Sequence, residues 1–201
     1  MCFGIVLIIL ANLGSAPWDV LHIGLYKQFG LTIGSWSIIV GIVVLASSTI
    51  LAKAFPKLGA FLNMVLCGIF IDMYLFLPWL KTPTTLFGQF LMLLIGIIIN
   101  AYGIAIYISA NCGAGPRDGL MLVLMEKTKI KVQWIRLIME ITVLAFGWIM
   151  GGPVGVGTII YCLTIGHASG FALPQCKKLA DRWTEKDSLK IEKQAKKCQT
   201  M

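Results

Sequence analysis

One eleven-residue pattern occurs twice in this chain, and its duplication restricts the possible folds more than any other feature. The first copy is Ala11–Leu21 and the second is Ala110–Leu120; both read A-N-x-G-x-x-P-x-D-x-L. The copies lie 99 positions apart, and matches at the same offset continue on both sides, so that Gly4 corresponds to Gly103. This correspondence indicates two copies of one structural unit, which must be recognised before single helices are assigned.

The composition indicates that the chain lies in a lipid bilayer. Of its 201 residues, 58% are hydrophobic and 13% are charged, and the mean hydropathy is +0.85. About a quarter of the residues in a soluble domain are charged, so this chain cannot cover a globule with polar surface. The six cysteines are scattered, without a C-x-x-C pair or the spacing of a zinc site. We therefore expect neither a disulfide framework nor a metal site.

Long apolar runs with few charges predict an all-α membrane protein with six transmembrane helices. A hydrocarbon core of about 30 Å needs about 20 apolar residues in a helix. The runs that meet or approach this length are Met1–Leu13, Ile33–Ala52, Leu58–Leu80, Phe87–Asn111, Val132–Met150 and Val154–Leu173. The first run is short, so we expect either that further residues precede it or that the first helix is a stub. Pro174 is expected to end the sixth helix.

Two further helices, Pro17–Gly30 and Arg117–Thr128, are too short to cross the bilayer. Proline is favourable near a helix start, because its missing N–H would have no partner there. An aspartate in the first turn complements the positive end of the helix dipole. Each repeat is therefore expected to contain one short interfacial or re-entrant helix. The candidate helix-break residues are Gly14, Pro17, Gly113 and Pro116.

The distribution of Lys and Arg predicts the orientation in the membrane. These residues collect in the loop after the second long span, in the loop before the fifth, and in residues 177–201, which hold eight of them. The positive-inside rule places these segments and both termini in the cytoplasm. Because each repeat has three spans, the two copies insert in opposite orientations, the first motif facing outside and the second facing the cytoplasm. We divide the chain into a first repeat at 1–80, a second at 81–175 and a basic cytoplasmic tail at 176–201.

The repeated motifs also carry a resemblance to a known family. The residues concerned are G-x-x-P-W-D-x-L at Gly14–Leu21, G-x-G-P-R-D-G-L at Gly113–Leu120, the series Gly59, Asn63, Gly68 and Asp72, and Gly155-Val156-Gly157-Thr158 with Gly166. This set resembles the YczE/YyaS/YitT-like family of bacterial integral membrane proteins, over nearly the whole chain except the tail. The resemblance implies a multi-pass protein of the bacterial cell membrane. Most members of the family have no assigned biochemical activity.

Polar and ionisable residues within apolar helices are candidates for a substrate or ion pathway, because such groups are costly in lipid and usually face a cavity or a partner. The candidates are Asp19, Asn63, Asp72, Asn100, Arg117, Asp118, Arg136, Glu140 and His167. For Asp19 and Asp118 the alternative is helix capping. For Arg117 the alternative is the general excess of positive charge on the cytoplasmic side. For Asp72 the alternative is an interhelical hydrogen bond, whose partner must lie on another helix because its own-helix neighbours are apolar.

Three of these candidates have further alternatives. Arg136 and Glu140 are four residues apart and are expected to form an ion pair, although Glu140 is also a candidate carboxylate for proton or cation coupling. His167 lies in the middle of a span. A single histidine there is more often packed and hydrogen-bonded than a ligand.

Two functions of different classes are compatible with the sequence. The leading hypothesis is a small secondary transporter or permease, with Asp72, Glu140 and His167 lining a polar pathway at the repeat interface. The alternative is a non-transporting membrane regulator or scaffold that acts through its tail, which is expected to contact anionic lipid. The motifs G-x-x-x-x-G-K-[ST], H-E-x-x-H and G-x-S-x-G are absent, so we expect no enzyme and no cofactor. The expected partners are the lipid bilayer, a small-molecule or ion substrate and a second copy of the chain, but not nucleic acid.

Overall fold

The structure is a computed structural model that describes residues 1–53, 58–109 and 115–199, with side chains described as far as residue 179 apart from those of residues 58, 118, 122 and 132. Every regular element in these ranges is a helix. The helices are α1 (Cys2–Leu10), α2 (Pro17–Phe29), α3 (Ile33–Ala52), α4 (Leu58–Leu75), α5 (Leu86–Ser109), α6 (Pro116–Thr128), α7 (Val132–Ile149) and α8 (Val156–Gln199). Gly113 and the side chain of Asp118 lie outside the described part.

Three helices are long and apolar enough to cross a membrane. They are Ile33–Ala52, Leu86–Ser109 and the segment Val156–Leu179 of α8, and Gly59–Leu75 forms a shorter apolar helix. Large apolar side chains on these helices, such as Ile50 and Phe87, are exposed at the protein surface. A surface of this kind is suited to lipid contact. The chain is therefore an all-helical protein with apolar helices that can span a bilayer.

Two helix ends differ from the sequence prediction. The helix predicted for Leu58–Leu80 ends at Leu75, because Pro78 has no N–H and disfavours helical backbone at the residue before it. The sixth apolar helix does not end at Pro174 but continues through it to Gln199. The residues after Pro174 are rich in Lys, Glu, Ala and Gln, which are strong helix formers, and one proline removes only one hydrogen bond of the helix.

The helix boundaries follow the repeat that is visible in the sequence. Helices α2 and α6 each contain 13 residues and start with a proline, at positions 99 apart. Contacts follow the same correspondence, since α2 packs on α7 as α6 packs on α3. At the first interface Gly147 lies against the backbone of Val20, and at the second Gly119 faces the hydroxyl of Ser48. At the offset of 99 residues, Val20 corresponds to Gly119 and Ser48 corresponds to Gly147, so the same pair of positions is in contact at both interfaces.

Helix α1 packs on the second half of α5 through glycines, and the two helices run antiparallel. Gly4 lies against the backbone of Gly96 and Asn100, whereas Gly103 lies against Met1. A Cβ added to Gly4 would be 2.6 Å from the backbone nitrogen of Asn100, so a side chain there would force the helices apart. The adjoining core contains residues of α1, α5 and α8, among them Ile8, Leu93, Ile97, Ala101 and Ile165.

The two halves differ in how their last two helices pack. Helix α3 lies along α4, and a Cβ on Gly34 would be 2.1 Å from the carbonyl oxygen of Gly68. The corresponding helices α7 and α8 make almost no contact, because α8 packs on α5 instead. A gap therefore opens between α7 and α8 on one side of the molecule.

Candidate functional site

A cavity of about 280 Å³ lies where the helices of the two halves meet. The first turns of both short helices, Ala16–Asp19 of α2 and residues 115–117 of α6, form part of its wall. Side chains of α1, α3, α4, α5, α7 and α8 form the rest of the wall. Eight of the residues singled out in the sequence line this cavity: Pro17, Asp19, Asn63, Asn100, Pro116, Arg117, Arg136 and Glu140.

The starts of α2 and α6 touch each other at this cavity. The guanidinium carbon of Arg117 lies 4.4 Å from the ring centroid of Trp18, within the range of a cation–π contact. Trp18 and Arg117 occupy the same position in the two copies of the motif. The expectation that the two motifs lie on opposite faces of the membrane is therefore wrong for these helix starts. The charge of the loops does not encode how closely the starts of two helices pack against each other.

Neither short helix has a side-chain cap at its N-terminus. The N-cap positions are Ala16 and Gly115, and neither residue has a side-chain oxygen to accept a hydrogen bond. The first bonds within the helices run from the N–H of Val20 to the Ala16 carbonyl and from the N–H of Gly119 to the Gly115 carbonyl. Earlier N–H groups, such as that of Trp18, have no partner within their helix. Two positive dipole ends therefore lie at one cavity.

Asp19 and His22 form a buried pair on α2, which lies outside the candidate spans. They are 3% and 1% exposed, and Asp19 Oδ1 lies 3.8 Å from His22 Nδ1, too far for a hydrogen bond. Burial raises the pKa of Asp19 to about 6, and the nearby positive charge of Arg117 opposes that rise. Burial lowers the pKa of His22 to about 3, and Arg117 lowers it further. His22 is therefore neutral at neutral pH, and the contact is not an ion pair.

Two buried polar atoms at the cavity have no hydrogen-bond partner in the described part of the chain. They are Nδ1 of His22 and Oδ1 of Asn100. The other side-chain atom of Asn100, the amide nitrogen, donates to the hydroxyl of Tyr161 at 3.1 Å. Buried polar atoms are rarely left unpaired, so each such atom calls for an explanation. Since both residues line the cavity, a group held inside it can supply the missing partners.

The predicted ion pair of α7 is present at the side of the cavity that faces α8. Arg136 Nε donates to Glu140 Oε1 at 3.0 Å. The side chains are 54% and 28% exposed, because α7 and α8 stand apart here. Both residues also line the cavity.

Asp72 and His167 do not line the cavity. The carboxylate of Asp72, on α4, accepts hydrogen bonds from the N–H of Gly34 at 2.8 Å and from the hydroxyl of Thr32 at 2.5 Å. It therefore satisfies groups at the start of α3, and its partners lie on another helix. His167 is exposed, with Nδ1 3.0 Å from the carbonyl oxygen of Leu163 on the same helix. The structure therefore places these two residues outside the cavity, whereas Glu140, the third residue of the predicted pathway, lines it.

Gly14 lies in the segment that breaks the chain between α1 and α2. Its φ of +107° is unfavourable for residues with a side chain. A Cβ there would be 2.6 Å from the hydroxyl of Thr158 and 2.7 Å from the backbone nitrogen of Gly155. The segment is also bonded to the start of α8, since the N–H of Gly157 donates to the carbonyl of Leu13 at 2.7 Å. This anchors the entry to α2 on the second half of the molecule.

Sequence reasoning missed Trp18, His22 and Tyr161 as cavity residues. The spacing of Asp19 and His22, three residues apart on one helix, was an available signal, since such residues share a face. Tyr161 and Trp18 had no signal of this kind, because aromatic residues are common in apolar helices. No group of three or more His, Cys, Asp or Glu that could hold a metal ion occurs among the described residues.

The helices and the cavity together define an all-helical membrane protein with a polar interior site. Residues 1–174 match a family of unknown function, DUF6198. The uncharacterised membrane protein YczE of Bacillus subtilis is 45% identical over 181 residues, which are 89% of this chain and 83% of that protein. An uncharacterised protein of Haemophilus influenzae is 35% identical over 167 residues, covering 83% and 75% of the two chains. YyaS of Bacillus subtilis is 31% identical over 163 residues, or 80% of each chain.

The chain belongs to this YczE/YyaS-like family, which confirms the resemblance found in the sequence motifs. No solved structure matches the chain. The relatives are themselves uncharacterised, so the comparisons identify a membrane protein and give no activity. The cavity is therefore the feature of the molecule that bears on function.

Proposed function

We propose that this protein is a small secondary transporter or permease, whose substrate occupies the central cavity. Six helices cross the bilayer in two inverted repeats, α2 and α6 are re-entrant, and both termini are cytoplasmic. The observation that carries the proposal is that the starts of α2 and α6 both contribute to the wall of one cavity. Transporters with inverted repeats bind their substrates at the repeat interface, next to the ends of broken helices.

The contact between α1 and α5 supports the inverted arrangement. In the repeat, Met1 corresponds to Asn100 and Gly4 corresponds to Gly103. The contact of Gly4 with Asn100 and the contact of Gly103 with Met1 are therefore one contact with the partners exchanged, as a two-fold axis requires. Because these corresponding helices run antiparallel, the axis lies across them. If they cross the bilayer, that axis lies in the membrane plane.

The unequal packing of the two halves supports a conformational cycle. The α3–α4 pair is closed at Gly68, whereas a Cβ placed on the corresponding Gly166 of α8 would have no atom of the described residues within 4 Å. In the proposed cycle, α7 closes onto the Gly166 face of α8 while α3 opens from Gly68. The cavity then opens alternately to the two sides of the membrane.

Labelling of a cavity cysteine from each side of the membrane tests this proposal without a known substrate. The variant is Ser37→Cys, at a residue of α3 that lines the cavity, in a background without the six native cysteines. A membrane-impermeant maleimide is applied to right-side-out and inside-out vesicles. We expect labelling from both sides. The matched control is Ile39→Cys on the same helix, whose exposed side chain lies on the apolar surface and should be labelled from neither side.

Labelling of Ser37→Cys from one side only, under all conditions, would contradict the proposal. It would favour the alternative of a non-transporting regulator or scaffold, because a cavity open to one side cannot pass a substrate across the membrane. A reactive control would show that the helix surface is not in lipid, and the assignment of α3 as a span would then fail.

A further inference from the structure

We infer that the cavity binds a small organic acid that carries a hydroxyl group, with its carboxylate held between the first turns of α2 and α6 beside Arg117. This inference rests on the proposed function and specifies its substrate class.

The positive end of the site is formed by three sources of charge. The starts of α2 and α6 contribute one dipole end each, equivalent to about half an elementary charge. Arg117 contributes a guanidinium group, whose fork of N–H donors fits a carboxylate in a bidentate geometry. Backbone N–H groups that lack a helix partner, such as that of Trp18, supply donors at the same place.

The other charged residues of the wall reduce this positive surplus but do not remove it. Arg136 and Glu140 form a pair at 3.0 Å, so their charges balance. The carboxyl group of Asp19 is opposed by the guanidinium of Arg117, which acts on it electrostatically. What remains among the described lining residues is the contribution of the two helix starts, which favours an anion.

The unpartnered atoms of His22 and Asn100 indicate the second feature of the ligand. Both residues line the cavity and are 1% and 3% exposed, so bulk water does not reach them freely. Oδ1 of Asn100 can only accept a hydrogen bond, and it has no donor in the described part of the chain. A hydroxyl group of the ligand supplies that donor. The oxygen of the same hydroxyl group can accept a hydrogen bond from His22 Nδ1 when the neutral ring carries its proton on that nitrogen.

The size and the remaining wall of the cavity favour an organic ligand over an inorganic ion. The volume of about 280 Å³ is close to the lower end of the pockets that hold small organic molecules, about 300–1,000 Å³. Apolar side chains occupy much of the wall, including Val44, Met64, Ile71, Ile104 and Ile165. A bare phosphate or chloride ion would leave these side chains without a ligand group to contact.

Ligand-dependent thermal unfolding of the purified full-length protein in detergent tests the inference, because a ligand of the folded state raises Tm. The probes are lactate, propionate, lactamide and alanine, and the larger series of mandelate, phenylacetate, mandelamide and phenylglycine. In at least one series we expect the hydroxy acid to raise Tm most. The amide lacks the carboxylate charge and the simple acid lacks the hydroxyl, so both should have smaller effects.

The variant Arg117→Gln should weaken binding of the effective hydroxy acid by about tenfold or more, as expected for loss of a charge-assisted contact. The matched control is Lys127→Gln on the same helix, at an exposed residue that does not line the cavity. The affinity of this variant for the hydroxy acid should be unchanged. The inference is overturned if no hydroxy acid raises Tm, if the amide or the amino acid is equally effective, or if both variants behave alike.

Failure of the substrate class and failure of the transporter proposal give different results. Hydroxy-acid binding that depends on Arg117, without labelling of Ser37→Cys from both sides, would support the ligand class and remove transport. Labelling from both sides without stabilisation by a hydroxy acid would keep transport and overturn the ligand class.

Discussion

The pair α3–α4 and its counterpart α7–α8 show how two copies of one sequence unit can pack differently. In the first pair the backbones meet at Gly34 and Gly68, and Asp72 bonds to the start of α3. In the second pair Gly68 is matched by Gly166, but Gly34 is matched by Gln133 and Asp72 by Gly170. The second pair therefore lacks both the small residue on its first helix and the carboxylate on its second.

In the proposed transport cycle, this difference would make the two pairs unequal as gates. Closure of the first pair is held by close backbone packing and by hydrogen bonds that only the first half can make. The second pair retains one bare glycine face on α8 and has no matching carboxylate. If the molecule alternates between two states, the gate formed by α7 and α8 should be the easier one to open.

The largest expected effect comes from filling the glycine contact of the first pair. Gly34→Ala places a Cβ 2.1 Å from a backbone oxygen of Gly68, a clash that no side-chain rotation relieves, and should destabilise the protein by about 3 kcal/mol or more. Gly166→Ala meets nothing within 4 Å and should change stability little. Denaturation of the purified variants in detergent measures both. Equal losses in the two variants would mean that the second pair also closes tightly.

The next effect concerns the carboxylate that is present in one pair only. Asp72→Ala leaves the N–H of Gly34 and the hydroxyl of Thr32 without their acceptor, which should cost about 1–3 kcal/mol. Asp72→Asn keeps one side-chain oxygen as an acceptor and should therefore lose less stability than Asp72→Ala. The same denaturation assay measures both variants. A loss of ligand binding with unchanged stability would instead assign Asp72 to the cavity.

A pH-dependent effect separates the two short helices, because α2 carries the buried pair of Asp19 and His22 while α6 has Met121 at the position of His22. The raised pKa of Asp19, about 6, makes its contribution to stability fall as pH rises from about 4 to 6. The lowered pKa of His22, about 3, makes its contribution rise as pH rises from about 3 to 6.5. The two trends oppose each other in the parent protein.

Stability measured between pH 4 and 7 separates the two contributions. The stability of Asp19→Asn should rise more steeply with pH than that of the parent, because only the contribution of His22 remains. The stability of His22→Gln should fall as pH rises, because only the contribution of the Asp19 carboxyl group remains. Parallel curves for the parent and both variants would show that neither group has a shifted pKa in the folded protein.

The smallest expected effect is at the α7 ion pair. Glu140→Gln removes a contact between partly exposed residues four positions apart, which is worth about 0.3–0.5 kcal/mol. The corresponding residue in the first half is Gly41, which packs on Met64, so the pair has no equivalent there. A loss of several kcal/mol on denaturation would show that α7 and α8 enclose the pair more tightly than the gap between them suggests.

The helix starts and the repeat could be predicted from the sequence, because proline positions, apolar runs and a constant offset are local or periodic signals. The end of α4 was also encoded, at Pro78. The neighbours of Asp72 could not be predicted, since spacing along a helix gives the face of a residue and not the helix opposite. The meeting of α2 and α6 likewise depends on tertiary packing, which local signals in the sequence do not encode.

The contact between Trp18 and Arg117 has an evolutionary consequence. Before a duplicated gene is fused, two identical subunits related by a two-fold axis would place this position opposite its own copy. A guanidinium would then face a guanidinium, and a ring would face a ring. The two sites can differ only when the two units have different sequences, so an aromatic partner for the cation is available to unlike copies and not to a symmetric dimer of one unit.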